Sequence, residues 1–374
     1  MPIEIPVYET LGVRPFINAC GTITTLGGSI MPPQVVQAMV DASQHFVPLI
    51  ELHEKVGQRI AKLTGNEGAF VCAGAASGMT LTGAACITRT DTEAIRKLPD
   101  TGDLPNEFVI SMVDAHYFIH QGFELCGGKL VKIGTQEKVT AGDYATGINE
   151  RTAGVVFFLG SQSREQLPEI VAVAQEQQVP VIVDAAAQLP PRSNLTELTG
   201  IGADLVVFSG GKGLCGPQSS GLIVGRADLI EACALNSNPY SGVGRSMKVG
   251  KEEIMGLLAA VELFMAQDEE AVIADWVKRC NTIAAIADEF SGIESVYSPP
   301  GKFQFPPASP VQQLHFSDDA PLAAPEVKKH LKEGEPSIEA SASENTISFQ
   351  PQTLQDGEAE IITRRIREIL AQSL

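Results

Sequence analysis

Residues 208–221 read FSGGKGLCGPQSSG, and this stretch decides the fold. Its first residue closes an apolar run, LVVF at 205–208, of the kind found in strands covered on both faces. Lys212 follows at the strand's carboxyl end, flanked by Gly210, Gly211 and Gly213. Glycines let a backbone approach a ligand closely and adopt positive φ. A lysine placed there can bind a phosphate or form a Schiff base with a carbonyl. A nucleotide-binding P-loop is excluded, because Lys212 is followed by Gly213 where that motif needs Ser or Thr. The competing reading is a glycine-rich turn with a solvated lysine.

Outward from this stretch, short runs rich in β-branched and aromatic residues recur at 69–72, 108–113, 130–133, 155–159, 181–183 and 222–224. Helical segments separate many of them, 164–177 for example. Strands alternating with helices predict an α/β architecture: a mainly parallel sheet of about seven strands with helices on both faces. In such sheets the working residues sit on loops at the carboxyl ends of the strands. Three further stretches fall there. In VIVDAAAQ (181–188), Asp184 ends a buried strand, where a carboxylate is costly unless paired. It suits the ring nitrogen of a ligand, with Ala186 flat on the ring, or a helix cap. In VCAGAASGMTLTGAAC (71–86), the loop Gly74-Ala75-Ala76-Ser77-Gly78 leads into an apolar helix whose backbone N–H groups would suit an anion, or is a turn selected for packing. In SMVDAHYFIHQG (111–122), His116 or Tyr117 could stack on an aromatic ligand, and His120 lies one turn on.

The order of these pieces is informative. A phosphate loop, an aromatic stacker, an Asp at a strand end and Ser-x-x-Lys beyond it resemble the fold-type-I pyridoxal-phosphate enzymes. The resemblance implies pyridoxal 5'-phosphate as cofactor, with Lys212 forming the internal aldimine and Asp184 pairing with the pyridinium nitrogen. It also implies that Ser209, Ala75, Ala76 and Ser77 contact the cofactor phosphate and that His116 stacks on the ring. More narrowly, PFINACGTITTLGGS (15–29), residues 49–78, residues 208–225 and GVGRSMKVGKEEIMGLLAAVE (242–262) resemble the selenocysteine synthase (SelA) group. Within it the chain is more similar to the D-glucosaminate-6-phosphate ammonia-lyases than to the tRNA-modifying enzymes, which carry an extra N-terminal helical domain.

Charge argues the same way. The 374 residues hold 27 Lys+Arg and 45 Asp+Glu, a net −18, whereas an RNA partner or an anionic membrane needs a basic face. No run reaches the roughly 18 apolar residues of a membrane span, and no basic, apolar secretory leader opens the sequence. Seven cysteines without a C-x-x-C pair read as reduced, mostly buried thiols with no metal site, in a cytoplasmic protein.

The expected organisation is an N-terminal arm and first helix (1–48), a large cofactor-binding α/β domain (49–244) and a smaller α+β domain (245–374). The last begins with long amphipathic helices at 251–265 and 271–289. It continues with a Pro-rich loop at 299–310, strands at 311–316 and 346–349, and a helix at 356–370. Pro32 and Pro33 can open the first helix, and Gly65 stops the one at 49–63.

The expected activity is an α,β-elimination on a hydroxylated 2-amino acid. Lys212 removes the α-proton, Asp184 keeps the ring nitrogen protonated, and the products are ammonia and a 2-keto-3-deoxy acid. The resemblance supplies the substrate, a small anionic amino-sugar acid phosphate such as D-glucosaminate 6-phosphate. Racemisation or aldol cleavage of a small amino acid, and selenium or sulfur transfer to an aminoacyl-tRNA, are the alternatives. Arg245 and Lys248, with Lys251, form a cationic cluster suited to the substrate's anionic groups. Arg14 and His53 are weaker candidates, in segments that the resemblance implies reach a neighbouring subunit's site. The resemblance implies a homo-oligomer with shared active sites.

Overall fold

The structure is a computed structural model describing residues 7–114, 116–300 and 308–373. Backbone contacts divide the chain into two compact units, Gly28–Gln267 and, together, Met1–Gly27 with Asp268–Leu374. The first strand of the second is short, β1 (Phe16–Asn18).

The larger unit begins with α1 (Pro33–Ser43) and α2 (Leu49–Thr64), followed by β2 (Gly68–Cys72), α3 (Ala75–Thr88), α4 (Thr92–Lys97) and β3 (Glu107–Ser111). Next come α5 (Tyr117–Leu125), β4 (Lys129–Ile133), α6 (Ala141–Gly147), β5 (Thr152–Phe158), α7 (Leu167–Glu176) and β6 (Val181–Asp184). Two single turns, α8 (Ser193–Thr196) and α9 (Leu198–Ile201), lead to β7 (Leu205–Ser209), β8 (Gly221–Gly225), α10 (Ala227–Asn236) and α11 (Lys251–Ala266). The seven strands form one sheet in the order β2-β8-β7-β6-β5-β3-β4. β3 to β7 run parallel, and β8 is antiparallel to both its neighbours, so β2 again shares the direction of β7. The carboxyl ends of six strands therefore open on one edge.

The continuous apolar runs have a direct cause. All seven residues of β5 are buried. Alternate side chains enter different cores, Val155 and Phe157 one and Val156 and Phe158 the other. A strand covered on both faces has no position left for a polar side chain. Each buried phenylalanine contributes about 1.5–3 kcal/mol. The helix boundaries follow local signals: Pro33 opens α1, and Gly65, at φ +71°, closes α2 with its N–H on the Ala61 carbonyl.

The smaller unit pairs β1 in parallel with β11 (Ser337–Glu339). Its four-stranded antiparallel sheet has the order β12-β13-β10-β9, with β9 Ile293–Ser298, β10 Val311–Phe316, β12 Ser341–Ala342 and β13 Thr346–Phe349. Helices α12 (Glu269–Ala284), α13 (Ala324–Glu333) and α14 (Glu358–Ala371) complete a core around Ile283, Leu314, Val327, Ile347 and Ile366. The strands at 311–316 and 346–349 and the terminal helix lie where the sequence places them. β9 escapes notice because its outer residues are polar and half exposed. Residues 301–307 of the Pro-rich loop lie outside the described residues.

The division differs from the sequence expectation at both ends. Helix α11 belongs to the larger unit, because Ile254, Leu257, Val261 and Phe264 bury into the same core as β5 and β7. Helix α1 belongs there too. The first 27 residues group with the carboxyl-terminal part through the β1–β11 pairing.

Candidate active site

The loops leaving β2, β3, β5, β6 and β7 share the sheet's carboxyl edge, and they carry most of the residues singled out above. Lys212 lies three residues beyond β7, half-buried, and burial lowers its ammonium from the usual lysine value while the charge of Asp184 opposes that shift. Asp184 ends β6 and is buried. Burial pushes its carboxyl up; the Ala186 N–H, 2.9 Å from Oδ1, pulls it down; the Asp114 carboxylate raises it, and Lys212 and His116 lower it. Asp184 does not cap a helix: the bond to Ala186 closes a turn, and the next helix starts only at Ser193. Ser209 is the last residue of β7, half-buried, with its N–H 3.4 Å from the Ala186 carbonyl.

Gly210, Gly211 and Gly213 have a different role from the one expected. None has positive φ; the left-handed residue of the loop is Cys215, at φ +54°. The glycines answer crowding instead. A Cβ on Gly211 would lie 2.6 Å from the Gln218 Cα, and one on Gly213 would lie 2.7 Å from the Leu189 carbonyl carbon. Ser29 Oγ donates to the Gly211 carbonyl at 3.0 Å, pinning the loop from a residue the sequence reading passed over. At the loop's return, a Cβ on Gly221 would stand 2.5 Å from the Gly74 carbonyl carbon. The lysine loop thus presses against the turn that opens α3.

That turn places Gly74 at φ +84° with open space on its Cβ side. The first bond of α3 runs from the Gly78 N–H to the Gly74 carbonyl, 3.1 Å, so the amides of Ala75, Ala76 and Ser77 are the helix's leading donors. Ser77 is buried, its hydroxyl 2.9 Å from the Gly74 carbonyl. A phosphate fits such an opening, where amides and helix dipole both favour negative charge.

His116 precedes α5 with a half-exposed ring. Its Nδ1 lies 3.1 and 3.2 Å from the two carboxylate oxygens of Asp114, and its backbone N–H donates to Oδ1 at 2.7 Å. Asp114 is buried, and Ser161 Oγ donates to its Oδ2 at 3.0 Å. The sequence reading chose His116 and missed both partners. The available signal was a carboxylate just beyond a strand end, two residues before a histidine. Tyr117 is exposed. His120 is buried, stacked on Phe158 at 5.9 Å, and burial lowers its pKa, as in a core histidine.

The cationic candidates come from other segments of the chain. Arg245 is exposed and donates to the Asn238 Oδ1 at 3.0 Å. Lys248 is exposed, and Lys251 pairs with Glu252. Asn238 also lines a cavity of about 420 Å³ between α2, β2 and α10, together with His53, Phe70 and Tyr240. His53 stacks on Phe70 at 4.8 Å, and burial lowers its pKa to about 4, so its ring is neutral near pH 7 and holds no anion by charge. Arg14 belongs to the smaller unit, bound to Glu335 at 2.7 Å and to the Gly334 carbonyl.

Residues 16–287 match the family model described as SelA, L-seryl-tRNA selenium transferase. The chain belongs to this family. It is 33% identical, over 97% of its length and 92% of the relative's, to a 5'-C-glycyluridine monooxygenase-decarboxylase from Streptomyces sp. It is 31% identical, over 97% of both chains, to a D-glucosaminate-6-phosphate ammonia lyase from Salmonella typhimurium (strain 14028s / SGSC 2262). A solved structure of D-glucosaminate-6-phosphate ammonia-lyase superposes with a TM-score of 0.83 at 29% identity, covering 99% of this chain and 100% of that one. The architecture is that of the fold-type-I enzymes, and pyridoxal phosphate is the cofactor. No helix among the described residues is long and apolar enough to cross a membrane.

Proposed function

We propose that the protein is a pyridoxal-phosphate-dependent ammonia-lyase that converts a phosphorylated 2-amino-3-hydroxy sugar acid, such as D-glucosaminate 6-phosphate, to the 2-keto-3-deoxy acid and ammonia. The observation that carries this reading is the near-complete superposition on an ammonia-lyase of known structure.

Bound pyridoxal phosphate supplies an electron sink for the pair left behind when a bond at the substrate's α-carbon breaks. The chain's own groups suit it. The α3 amides of Ala75, Ala76 and Ser77, with Ser209, hold the phosphate; Ala186 and His116 flank the ring; Lys212 anchors it covalently. The buried Asp184 carboxyl accepts a ring N–H, and a cationic partner there reverses the upward push of burial. Lys212, once released by substrate, is more often in its proton-accepting form than an exposed lysine because burial favours the neutral amine. Its Nζ takes the α-proton. The β-hydroxyl then departs as water, and water hydrolyses the nitrogen-bearing product, so the balance is loss of NH₃ alone. Arg245 and then Lys248 are the first choices for the substrate's anionic groups, with Arg14 and His53 behind them. For His53 the ring N–H, rather than charge, makes the contact. We infer a cytoplasmic homo-oligomer with shared active sites. All seven cysteines are free, and Phe46, Val47 and Ile50 form an exposed apolar edge at the start of α2.

The test incubates the holoenzyme with D-glucosaminate 6-phosphate and assays ammonia and 2-keto acid. Equimolar release of both is expected; release of neither, with α-proton exchange alone, points to a racemase and overturns the reading. The identity to the Streptomyces monooxygenase-decarboxylase favours a second reading, oxidative decarboxylation of a glycyl nucleoside. Oxygen uptake with CO₂ release from a glycyluridine would establish it.

A further inference from the structure

We propose that Asp114 is a positioning residue that fixes His116 in its Nδ1–H tautomer, so that Nε2 is the nitrogen that passes a proton to the departing β-oxygen. The first half stands on geometry alone, and the second rests on the elimination reading above.

Asp114 follows β3 by three residues and is closed off from solvent, in a position where an isolated carboxylate is costly. Three donors meet it. Ser161 Oγ comes from the loop after β5, and the backbone N–H and Nδ1 come from His116 itself. The Nδ1 contact is shared almost evenly between the two carboxylate oxygens, which holds the ring's angle as well as its distance. A carboxylate offers only lone pairs, so the nitrogen facing it must carry the hydrogen. Free neutral imidazole has no such constraint. With Nδ1 committed, proton traffic is confined to Nε2 of a ring that is half exposed on the carboxyl edge. The ring follows β3 on the same carboxyl edge at which β6 ends in Asp184 and β7 leads to Lys212.

In the elimination, the Cα–H pair becomes the new Cα=Cβ bond and the α-proton goes to Lys212 Nζ. The Cβ–O bond breaks with its electrons on oxygen, and protonated His116 gives its Nε2 proton to that oxygen, which leaves as water. His116 ends neutral and Lys212 protonated, so charge and atoms balance. Asp114 touches none of the reacting atoms.

The test records the ¹⁵N–¹H long-range spectrum of the histidine side chains in the full-length, cofactor-free protein, at a pH where imidazole is neutral. The His116 signals are assigned by their loss in His116→Gln. The wild type should show a protonated Nδ1 and a bare Nε2. In Asp114→Asn the carboxamide nitrogen takes the Oδ2 place, 3.2 Å from Nδ1, and donates there, so the Nδ1–H tautomer loses one of its two acceptors and its share should fall. An Nε2–H wild type, or an unchanged tautomer share in Asp114→Asn, would sink the proposal. In holoenzyme, Asp114→Asn should lose about 10²–10³-fold in kcat with KM little changed, the range of a misdirected general acid. A normal kcat with a shifted tautomer overturns the proton-donor role while leaving the ammonia-lyase reading intact. Ser161→Ala keeps the Asp114–His116 contact and should retain the tautomer with under about tenfold loss in kcat. Should Asp114→Asn fail to fold, the wild-type spectrum still decides.

Discussion

At the residue scale, chemistry and burial act together. Lys212 and Asp184 are expensive to bury singly, and each moves the other's titration. Lys212→Ala should abolish the near-visible absorbance of the holoenzyme that borohydride removes from the wild type, along with turnover; a retained borohydride-sensitive band would place the covalent link elsewhere. His53 gives a different prediction. Its folded pKa, about 4, lies below the unfolded value near 6.5, so the unfolded chain binds the extra proton. Stability from this residue is complete above pH 6.5 and is lost as pH falls toward 4, by up to about 3 kcal/mol. His53→Phe should therefore lose less of its urea midpoint than the wild type between pH 7 and pH 5. Equal losses would refute the assignment. Lys212, Asp184 and His116 were legible in the sequence because each follows an unmistakable strand. Ser161 was not, since what identifies it is a contact between loops 47 residues apart, and the one sign of Asp114 was its place two residues before His116.

At the element scale, the site depends on how closely the lysine loop approaches the amino end of α3. Gly221 opposes Gly74 with no room for a methyl group. Gly221→Ala should force the two apart at a cost of about 1–3 kcal/mol. Weakened phosphate contact should raise the cofactor's dissociation constant about 10- to 100-fold. Titration of the cofactor-free variant, with circular dichroism to show that it folds, checks this; wild-type affinity would mean that the junction does not shape the phosphate site. The strands were readable because burial on both faces removes polar residues from them. The positive φ expected of Gly210, Gly211 and Gly213 is absent, and crowding accounts for them instead. Sequence shows that a side chain is absent, and only the fold shows what occupies its place.

At the scale of the whole molecule, the −18 charge argues against the tRNA substrate for which the matched family model is named. A filter-binding titration at about 0.15 M salt, where a protein lacking a basic face gains little from counterion release, should show no tRNA retention. Tight, salt-sensitive binding would favour the transferase activity. The apolar edge at Phe46 predicts assembly. Phe46→Glu should lower the sedimentation-determined mass of the wild-type oligomer, and an unchanged mass would place the interface elsewhere. Phe46 is fully exposed, so the variant's fold should be unaffected.

The sequence by itself determined the seven strands, about half of the helices, and the places along the chain where a lysine, an aspartate and a glycine-bearing turn before a helix would stand, because burial and backbone propensity act locally. Tertiary structure decided what surrounds them. It placed α1 and α11 with the sheet, made His53 neutral, and bound Arg245 to Asn238. It also set Asp114 and Ser161 behind His116. The grouping of α1 and α11 with the sheet and the Ser161–Asp114 contact depend on distances between segments remote in the chain, and spacing along a sequence carries no record of such distances.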